Sequence, residues 1–438
     1  MISVTYFLIT WLILAISIGI SWKLINKALS PIHAIAATFM ICIFGCINSF
    51  VIDSLLRYFN YHVIIWIILS YFNFVVVFHL FSLANPRLRS DSFLYCISHP
   101  STVYFSTIVF SIPIVIFSPV LNRHVLFSLI LLCFILAAIG LKQSLTDFQE
   151  YLELKVTKDN VSSLRRGKTR KLGPDLPFRR LKSSPTLTVK DEPNALKIVQ
   201  ITDPHLGPFV SIKRLQRICQ AAVQANPDII LLTGDYWTPE GEHTFIKKEK
   251  RIGALTEALQ PLKSYQGRVF ASLGNHDLES DNVLQETISQ LREVGVILLR
   301  NEEKLVNTRL GLIQLIAIDY MRKKNRSTIT ELCHLFKKIP DAKRIILLHD
   351  PAGFTYIPSD DGSLVFSGHT HGGQIGLLSL GLPQTIVGLV SPDHGLWAKG
   401  MNRLYVHRGQ GSRFLFANFL VRLGVPTENS VLYISWDE

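Results

Sequence analysis

Residues 364–374 read LVFSGHTHGGQ, an apolar run of strand length that stops at glycine and gives way at once to two histidines one residue apart. Alternate histidines on one face of a strand end are seldom needed for packing, so His369 and His371 ask for something to bind. The same arrangement recurs upstream. LKIVQIT (196–202) runs into Asp203 and His205, DIILLTG (228–234) into Asp235, RVFASLG (268–274) into Asn275, His276 and Asp277, and RIILL (344–348) into His349. Taken singly, GD, NHD or D-x-H are ordinary turn residues after a strand. Five such elements in order, each closing an apolar run, are not.

Between these runs lie amphipathic stretches with a helical period. SIKRLQRICQAAVQAN (211–226) places Leu215, Ile218, Cys219 and Ala222 on one face, with Ser211 as N-cap, and a second helix is expected at about 281–294. VILLR, GLIQLIAI, RLYVHRG and SVLYISW read as further strands. Strands alternating with helices, each strand ending in polar residues, predict an α/β sheet protein with its site at the strand ends. The strand-rich C-terminal stretch suggests a second sheet.

Imidazole and carboxylate without cysteine suit borderline divalent ions: Mn²⁺ first, with Fe²⁺, Co²⁺ or Zn²⁺ as alternatives. The number of candidate ligands exceeds what one tetrahedral ion needs. Two ions are implied, and two-metal sites serve in-line displacement at phosphorus. One carboxylate then bridges, and Asp235 stands alone in its short TGD turn.

The first third is of another character. Mean hydropathy over the chain is +0.29, and the apolar content sits at the front. Stretches 1–22, 32–52, 62–84, 101–121 and 124–141 read as about five transmembrane helices, each near the ~20 residues a bilayer core requires. The fourth carries Pro113 and Pro119. MISVTY has no charge and no A-x-A site follows, so the first stretch is expected to be retained rather than cleaved. Residues 142–182 hold 11 Lys/Arg against 5 Asp/Glu. With the loop charges, that predicts a multi-pass protein of the inner or plasma membrane, its N-terminus outside and everything after residue 142 cytoplasmic.

The expected organisation is a transmembrane helical region (1–141), a basic juxtamembrane linker (142–195) and a catalytic domain (196–438). In the linker, 142–155 is expected to continue the last span as an amphipathic helix. The net charge of +12 is concentrated ahead of the folded domain, so no nucleic-acid partner is expected; the bilayer surface is. Cys42, Cys46, Cys96, Cys133, Cys219 and Cys333 show no paired spacing that would indicate a disulfide or zinc framework.

In this order, D-x-H, GD, GNHD, H and GHTH resemble the calcineurin-like metallophosphoesterase superfamily over about 196–438. The resemblance implies a four-layer αββα sandwich. It also implies one ion held by Asp203, His205, Asp235 and His371, and a second held by Asp235, Asn275, His349 and His369. His276 would be the catalytic imidazole beside the scissile phosphate, oriented by Asp277. HTHGGQ and ILLRNEEK further resemble the membrane-associated bacterial branch that includes UDP-2,3-diacylglucosamine hydrolases of lipid A synthesis. Two departures are Pro204 inside D-x-H and AIDY around Asp319, which leaves the part of Asp319 in substrate binding open.

Membrane spans beside such a site imply an amphiphilic, phosphate-containing substrate, a phosphodiester or pyrophosphate. Arg300, Arg322, Lys323, Lys324 and Arg326 are candidates to meet phosphates, with RKKNR read first as a solvated surface run. Trp237, Leu378, Leu380 and Leu382 are candidates to admit acyl chains, or equally to pack as core or loop. The competing readings are a general membrane phosphodiesterase or phosphatase, and a scaffold or sensor whose domain only binds metal.

Overall fold

Runs that are apolar on both faces must be covered on both sides, and β4 (Leu196–Ile201), β5 (Ile229–Leu232) and β11 (Leu364–Ser367) are buried at every position. The computed structural model describes residues 4–25, 31–84, 88–147, 149–167, 178–184, 193–237, 253–411 and 421–437. Among them, two seven-stranded mixed sheets supply the cover.

The first sheet is built around parallel β4, β5, β6 (Val269–Ala271) and β7 (Ile297–Leu298), extended by β14 (Asn429–Trp436), β1 (Gln149–Val156) and β3 (Phe178–Ser184). The second runs β2 (Val161–Arg166), β12 (Gly395–Gly400), β13 (Asn402–Val406), β11, β10 (Lys343–Leu348), β9 (Gly311–Ile318), β8 (Glu302–Thr308). Ile198, Leu231, Phe270 and Leu432 of the first sheet meet Leu315, Leu347 and Phe366 of the second in one core. The outer face of the first sheet, with Val199 and Ile230, packs on α7 (Ile212–Gln224) and α9 (Asp281–Val294), with α8 (Ala254–Leu259) beside them. The outer face of the second, with Ile316 and Ile346, packs on α10 (Ser327–Leu335). The layers are therefore helix, sheet, sheet, helix. Ser211 caps α7 by accepting from Arg214 N at 3.2 Å, as its sequence position predicted.

The N-terminal helices are α1 (Val4–Ile25), α2 (Pro31–Tyr58), α3 (Val63–Leu83), α4 (Asp91–Phe110), α5 (Ile112–Phe117) and α6 (Arg123–Ser144). Three of them, over Ala34–Tyr58, Val63–Leu83 and Arg123–Ser144, are long and apolar enough to cross a membrane. Among the described residues the expected five are not confirmed: three pass, or four if the bent pair is one span. The fourth stretch is a pair of helices bent by 41°, because Pro113 has no N–H to continue the hydrogen-bond ladder past Ser111. Over Leu8–Leu24 the first is a shorter apolar helix. Between 22% and 39% of the three long apolar windows is buried, so most of their surface faces outward, which lipid tolerates and water does not. The bundle is fastened by polar groups: Tyr104 donates to Asn48 Oδ1 at 2.7 Å and Asn48 donates to Asn73 Oδ1 at 2.8 Å.

Residues 142–195 depart from the expected linker. The helix of the last span ends at Ser144, and β1 begins at Gln149. β1 pairs in parallel with β14 from Gln149↔Asn429 to Val156↔Trp436, and β2 pairs with β12. Tyr151, Leu152, Leu154 and Val156 are buried. The strand is stabilised by a partner from the far end of the sequence, which no local period discloses. The sandwich thus reaches back to residue 149. Residues 168–177 and 185–192 of the basic segment lie outside the described residues.

Domain and bundle meet through several short contacts. Arg422 N donates to Ser144 Oγ at 2.8 Å, Gly424 N to Gln143 Oε1 at 2.6 Å, and Ser211 Oγ to Asp91 Oδ1 at 2.7 Å. Phe209 and Val421 are buried within the cluster of helix side chains, and Ile375 packs against it.

Candidate active site

Five parallel strands from the two sheets end at one place. Asp203 and His205 follow β4, Asp235 follows β5, Asn275 and His276 follow β6, His349 follows β10, and His369 and His371 follow β11. Each chain reverses abruptly: Asp203, His205, Asp235, His369 and His371 all have φ between +49° and +68°. A non-glycine residue in this left-handed region is strained by about 1–3 kcal/mol and persists only where its surroundings hold it. Five among the candidate ligands is the cost of turning their side chains inward. The neighbouring glycines leave no room for anything else. A Cβ on Gly368 would lie 2.1 Å from Asp203 Oδ2, and one on Gly274 would lie 2.1 Å from Asp235 Oδ1.

Two groups result, Asp203 with His205 and His371, and Asp235 with His349 and His369, the ligand atoms of each lying within 4.8 Å of one another. Asp235 Oδ2 is 3.1 Å from His349 Nε2 and 3.9 Å from His205 Nε2, so it faces both. His205 Nδ1 donates to Trp237 O at 3.1 Å and His349 Nδ1 to Thr233 O at 2.7 Å. Carbonyls only accept, so both Nδ1 atoms carry a proton and each ring turns its Nε2 inward, the arrangement that orients metal-binding histidines. Asn275 Oδ1 is buried without a hydrogen-bond partner. An inward Nε2 on each of two rings, carboxylates from two strands and an orphaned amide oxygen fit two divalent ions of the Mn²⁺, Fe²⁺, Co²⁺ or Zn²⁺ kind.

The charges interlock. Burial disfavours the imidazolium of His349, but the Asp235 carboxylate overrides it and holds the pKa up at about 10. Burial alone would raise Asp235, yet His349, His276 and His205 bring it well below the usual carboxylate range. Burial pushes Asp203 up to about 6.

His276 lies on the open side of Asp235, with Nε2 3.9 Å from Oδ2. Its Nδ1 is 2.6 Å from Glu279 Oε1. Asp277, the orienting residue expected from the resemblance, is elsewhere occupied: its carboxylate accepts from the N–H groups of Asp235 at 2.7 Å, Tyr236 at 2.9 Å and Gly274 at 2.9 Å. It braces the two turns that carry Asp235 and Asn275. Burial, followed by the repulsion of Asp235, raises Asp277 to about 7.

Other candidates are placed as follows. Asp319 accepts from Arg300 Nε at 2.9 Å and Nη2 at 2.8 Å, and Arg326 is paired with Asp350. Trp237 is fully buried and donates to Thr287 Oγ1 at 3.1 Å, so it belongs to the core and not to the mouth. Three residues not singled out from the sequence surround the site. Glu279 stands three residues beyond His276, in the turn that precedes α9. Arg422 donates to His371 O at 3.0 Å and lies 3.1 Å from His371 Nδ1. Arg408 donates to Glu150 Oε1 at 2.9 Å and is joined to Glu428.

Strand-end carboxylates and imidazoles gathered between two sheets define a metal-dependent phosphoesterase fold. Residues 196–373 match the calcineurin-like phosphoesterase family, and the chain carries a calcineurin-like metallophosphoesterase domain there. Its relatives are metallophosphoesterases. It is 26% identical to Phosphodiesterase YaeI of Escherichia coli (strain K12) over 230 residues, 51% of this chain and 78% of that one. It is 32% identical to an uncharacterized metallophosphoesterase of Aquifex aeolicus (strain VF5), over 41% of this chain and 64% of that one. A transmembrane protein with metallophosphoesterase domain of Danio rerio is 29% identical over 42% of this chain and 41% of its own length. The chain thus spans less than two thirds of the latter two.

Proposed function

We propose that the protein is a membrane-held phosphoester hydrolase acting on a phosphodiester or pyrophosphate of an amphiphilic molecule, with UDP-2,3-diacylglucosamine, cleaved to UMP and the lipid 1-phosphate, as the first candidate. One observation carries this reading. The loops that leave the site after His205, after His371 and before Arg422 put Phe209, Ile375 and Val421 against the apolar helix bundle, so a substrate reaching the site does so beside lipid.

Asp203, His205 and His371 would hold one divalent ion, and His349, His369 and Asn275 the other, with Asp235 between them. When bound, such ions supply Lewis acidity toward phosphoryl oxygens and acidify water at neutral pH. The side chains do the rest. Nδ1–H of His205 and of His349 is committed to backbone carbonyls, which keeps each Nε2 turned inward. His276 keeps Nδ1 on Glu279 and presents Nε2 toward the site, where its proton can pass to the leaving oxygen. Positioned general acids contribute about 10²–10⁴-fold. The helices hold the domain at the bilayer, on the cytoplasmic side by the charge of the segment after the last span.

The name of the Escherichia coli relative favours a second reading, a phosphodiesterase of broader scope. Both are tested with the detergent-solubilised full chain, Mn²⁺ and UDP-2,3-diacylglucosamine, following UMP by mass spectrometry with His276→Ala as control. UMP from the wild type alone supports the lipid substrate. Turnover only of bis(p-nitrophenyl) phosphate leaves the broader phosphodiesterase. A metal-binding protein with no turnover of either leaves the scaffold reading.

A further inference from the structure

From Ile375 to Pro392 the chain has no charged residue. Leu377, Leu380, Leu382, Ile386, Leu389 and Val390 in this loop are 43% to 87% exposed. Six large apolar side chains side by side on a soluble surface constitute a patch that calls for a partner. The loop is also fixed in place. Gly376 N donates to Leu423 O at 2.9 Å and Ser379 N to Gly424 O at 2.8 Å. Gln143, in the last turn of α6, donates to Ser379 Oγ at 2.9 Å and accepts from Gly424 N at 2.6 Å. The apolar patch is therefore anchored at the end of the last apolar helix, and Ile375 at its start packs against the bundle. On its other side it folds over the site: a Cβ on Gly373 would lie 3.1 Å from Thr385 Oγ1 and 3.2 Å from Val387 Cβ, two residues beyond His371.

We propose that the loop 375–392 seats in the acyl-chain edge of the bilayer beside α6, forming an apolar ramp along which a lipid phosphate passes from the leaflet to the metal site. The partner is the membrane itself. The loop is uncharged, with Ser379 and Gln384 its only exposed polar side chains among six exposed large apolar ones, and its anchor Gln143 sits in the last turn of the last apolar helix. The passage of substrate rests on the phosphoesterase reading above, whereas the seating in lipid does not.

The test uses the full chain in vesicles of phosphatidylethanolamine and phosphatidylglycerol, with p-benzoylphenylalanine in place of Leu389 or of Leu335, which is equally apolar, 69% exposed and on α10. Irradiation is expected to give a phospholipid adduct at position 389 and none at 335. No lipid adduct at 389, an adduct to protein only, or equal adducts at both positions would overturn the seating. In parallel, Leu389→Asp with Val390→Asp is expected to lower the ratio of hexadecyl p-nitrophenyl phosphate turnover in vesicles to bis(p-nitrophenyl) phosphate turnover in solution on the order of tenfold, because buried apolar contact at the interface is lost. An unchanged ratio overturns the ramp. Wild-type protein that turns over neither probe removes the phosphoesterase reading while the adduct still decides the loop.

Discussion

Glu279 Oε1 lies 2.6 Å from His276 Nδ1, two residues along the chain from the aspartate that adjoins the histidine. The carboxylate accepts from Nδ1 and so fixes the ring's tautomer, with Nε2 toward the site. Glu279→Gln should keep metal content unchanged and lower kcat about tenfold. His276→Ala should lose about 10²–10⁴-fold with both ions retained. Metal analysis beside steady-state kinetics checks both; loss of metal from either variant would contradict the assignment.

Asp277 braces backbone, so its removal should act differently. Asp277→Ala leaves three buried N–H groups without their acceptor, each worth about 1–3 kcal/mol. A large fall in melting temperature is expected, accompanied by loss of metal, where Glu279→Gln changes neither. Differential scanning calorimetry of the two variants separates the roles.

The ion-free cluster stores protons. His349, held up at about 10 by Asp235 against the effect of burial, is protonated through the neutral range, and a ligand must shed that proton. Binding of Mn²⁺ should release protons, and apparent affinity should rise with pH up to about 10. Calorimetric titration in buffers of different ionisation enthalpy measures the release; a value of zero would refute it.

Arg422 joins the end of α6 to His371, with its backbone on Ser144 Oγ and its guanidinium on the histidine. Arg422→Ala should weaken metal binding by about 10–100-fold, the usual effect of losing an outer partner. With Co²⁺ as the probe, the visible spectrum should change as well as the affinity, which a fold-only role would not produce at temperatures well below melting.

Glu428 is buried against Arg408, its carboxylate also accepting from Arg408 N at 3.0 Å and from Tyr405. Burial alone would raise its pKa, but His407 and Arg408 bring it down to about 2. A depressed carboxylate contributes stability that is present above its ordinary value near 4.5 and is lost as pH falls toward 2. Glu428→Ala should destabilise by about 1–3 kcal/mol at neutral pH, because Arg408 N and the Tyr405 hydroxyl lose their buried acceptor while the Arg408 guanidinium keeps Glu150. The difference from wild type should shrink in acid, as denaturation at stepped pH would reveal.

The strand ends were legible because their signal is local: an apolar run, a glycine and a polar side chain within ten residues. Ser211 as a cap and the face of α7 were legible for the same reason. What escaped depends on partners remote in sequence. QEYLELKV is a strand because β14 lies beside it, and VSSLRR, mostly exposed at a sheet edge, carries almost no apolar pattern. Arg422 and Arg408 matter through contacts that only the folded chain creates. Glu279 beside His276 depends on side-chain direction, which spacing does not contain. At Pro113 the hydropathy continues while the helix bends, which the sequence pattern does not disclose.

The helix of the last span ends at Ser144 and the sheet begins at Gln149. A catalytic head on a long flexible leash would sweep a hemisphere and sample solutes on every side. Here the leash is a few residues long and is woven into the sandwich at its far end. The head has neither reach nor swivel. On the lipid substrate proposed above, its rate would be governed by how often substrate wanders by lateral diffusion into one patch of leaflet, and surface density rather than bulk concentration would be the variable that saturates it.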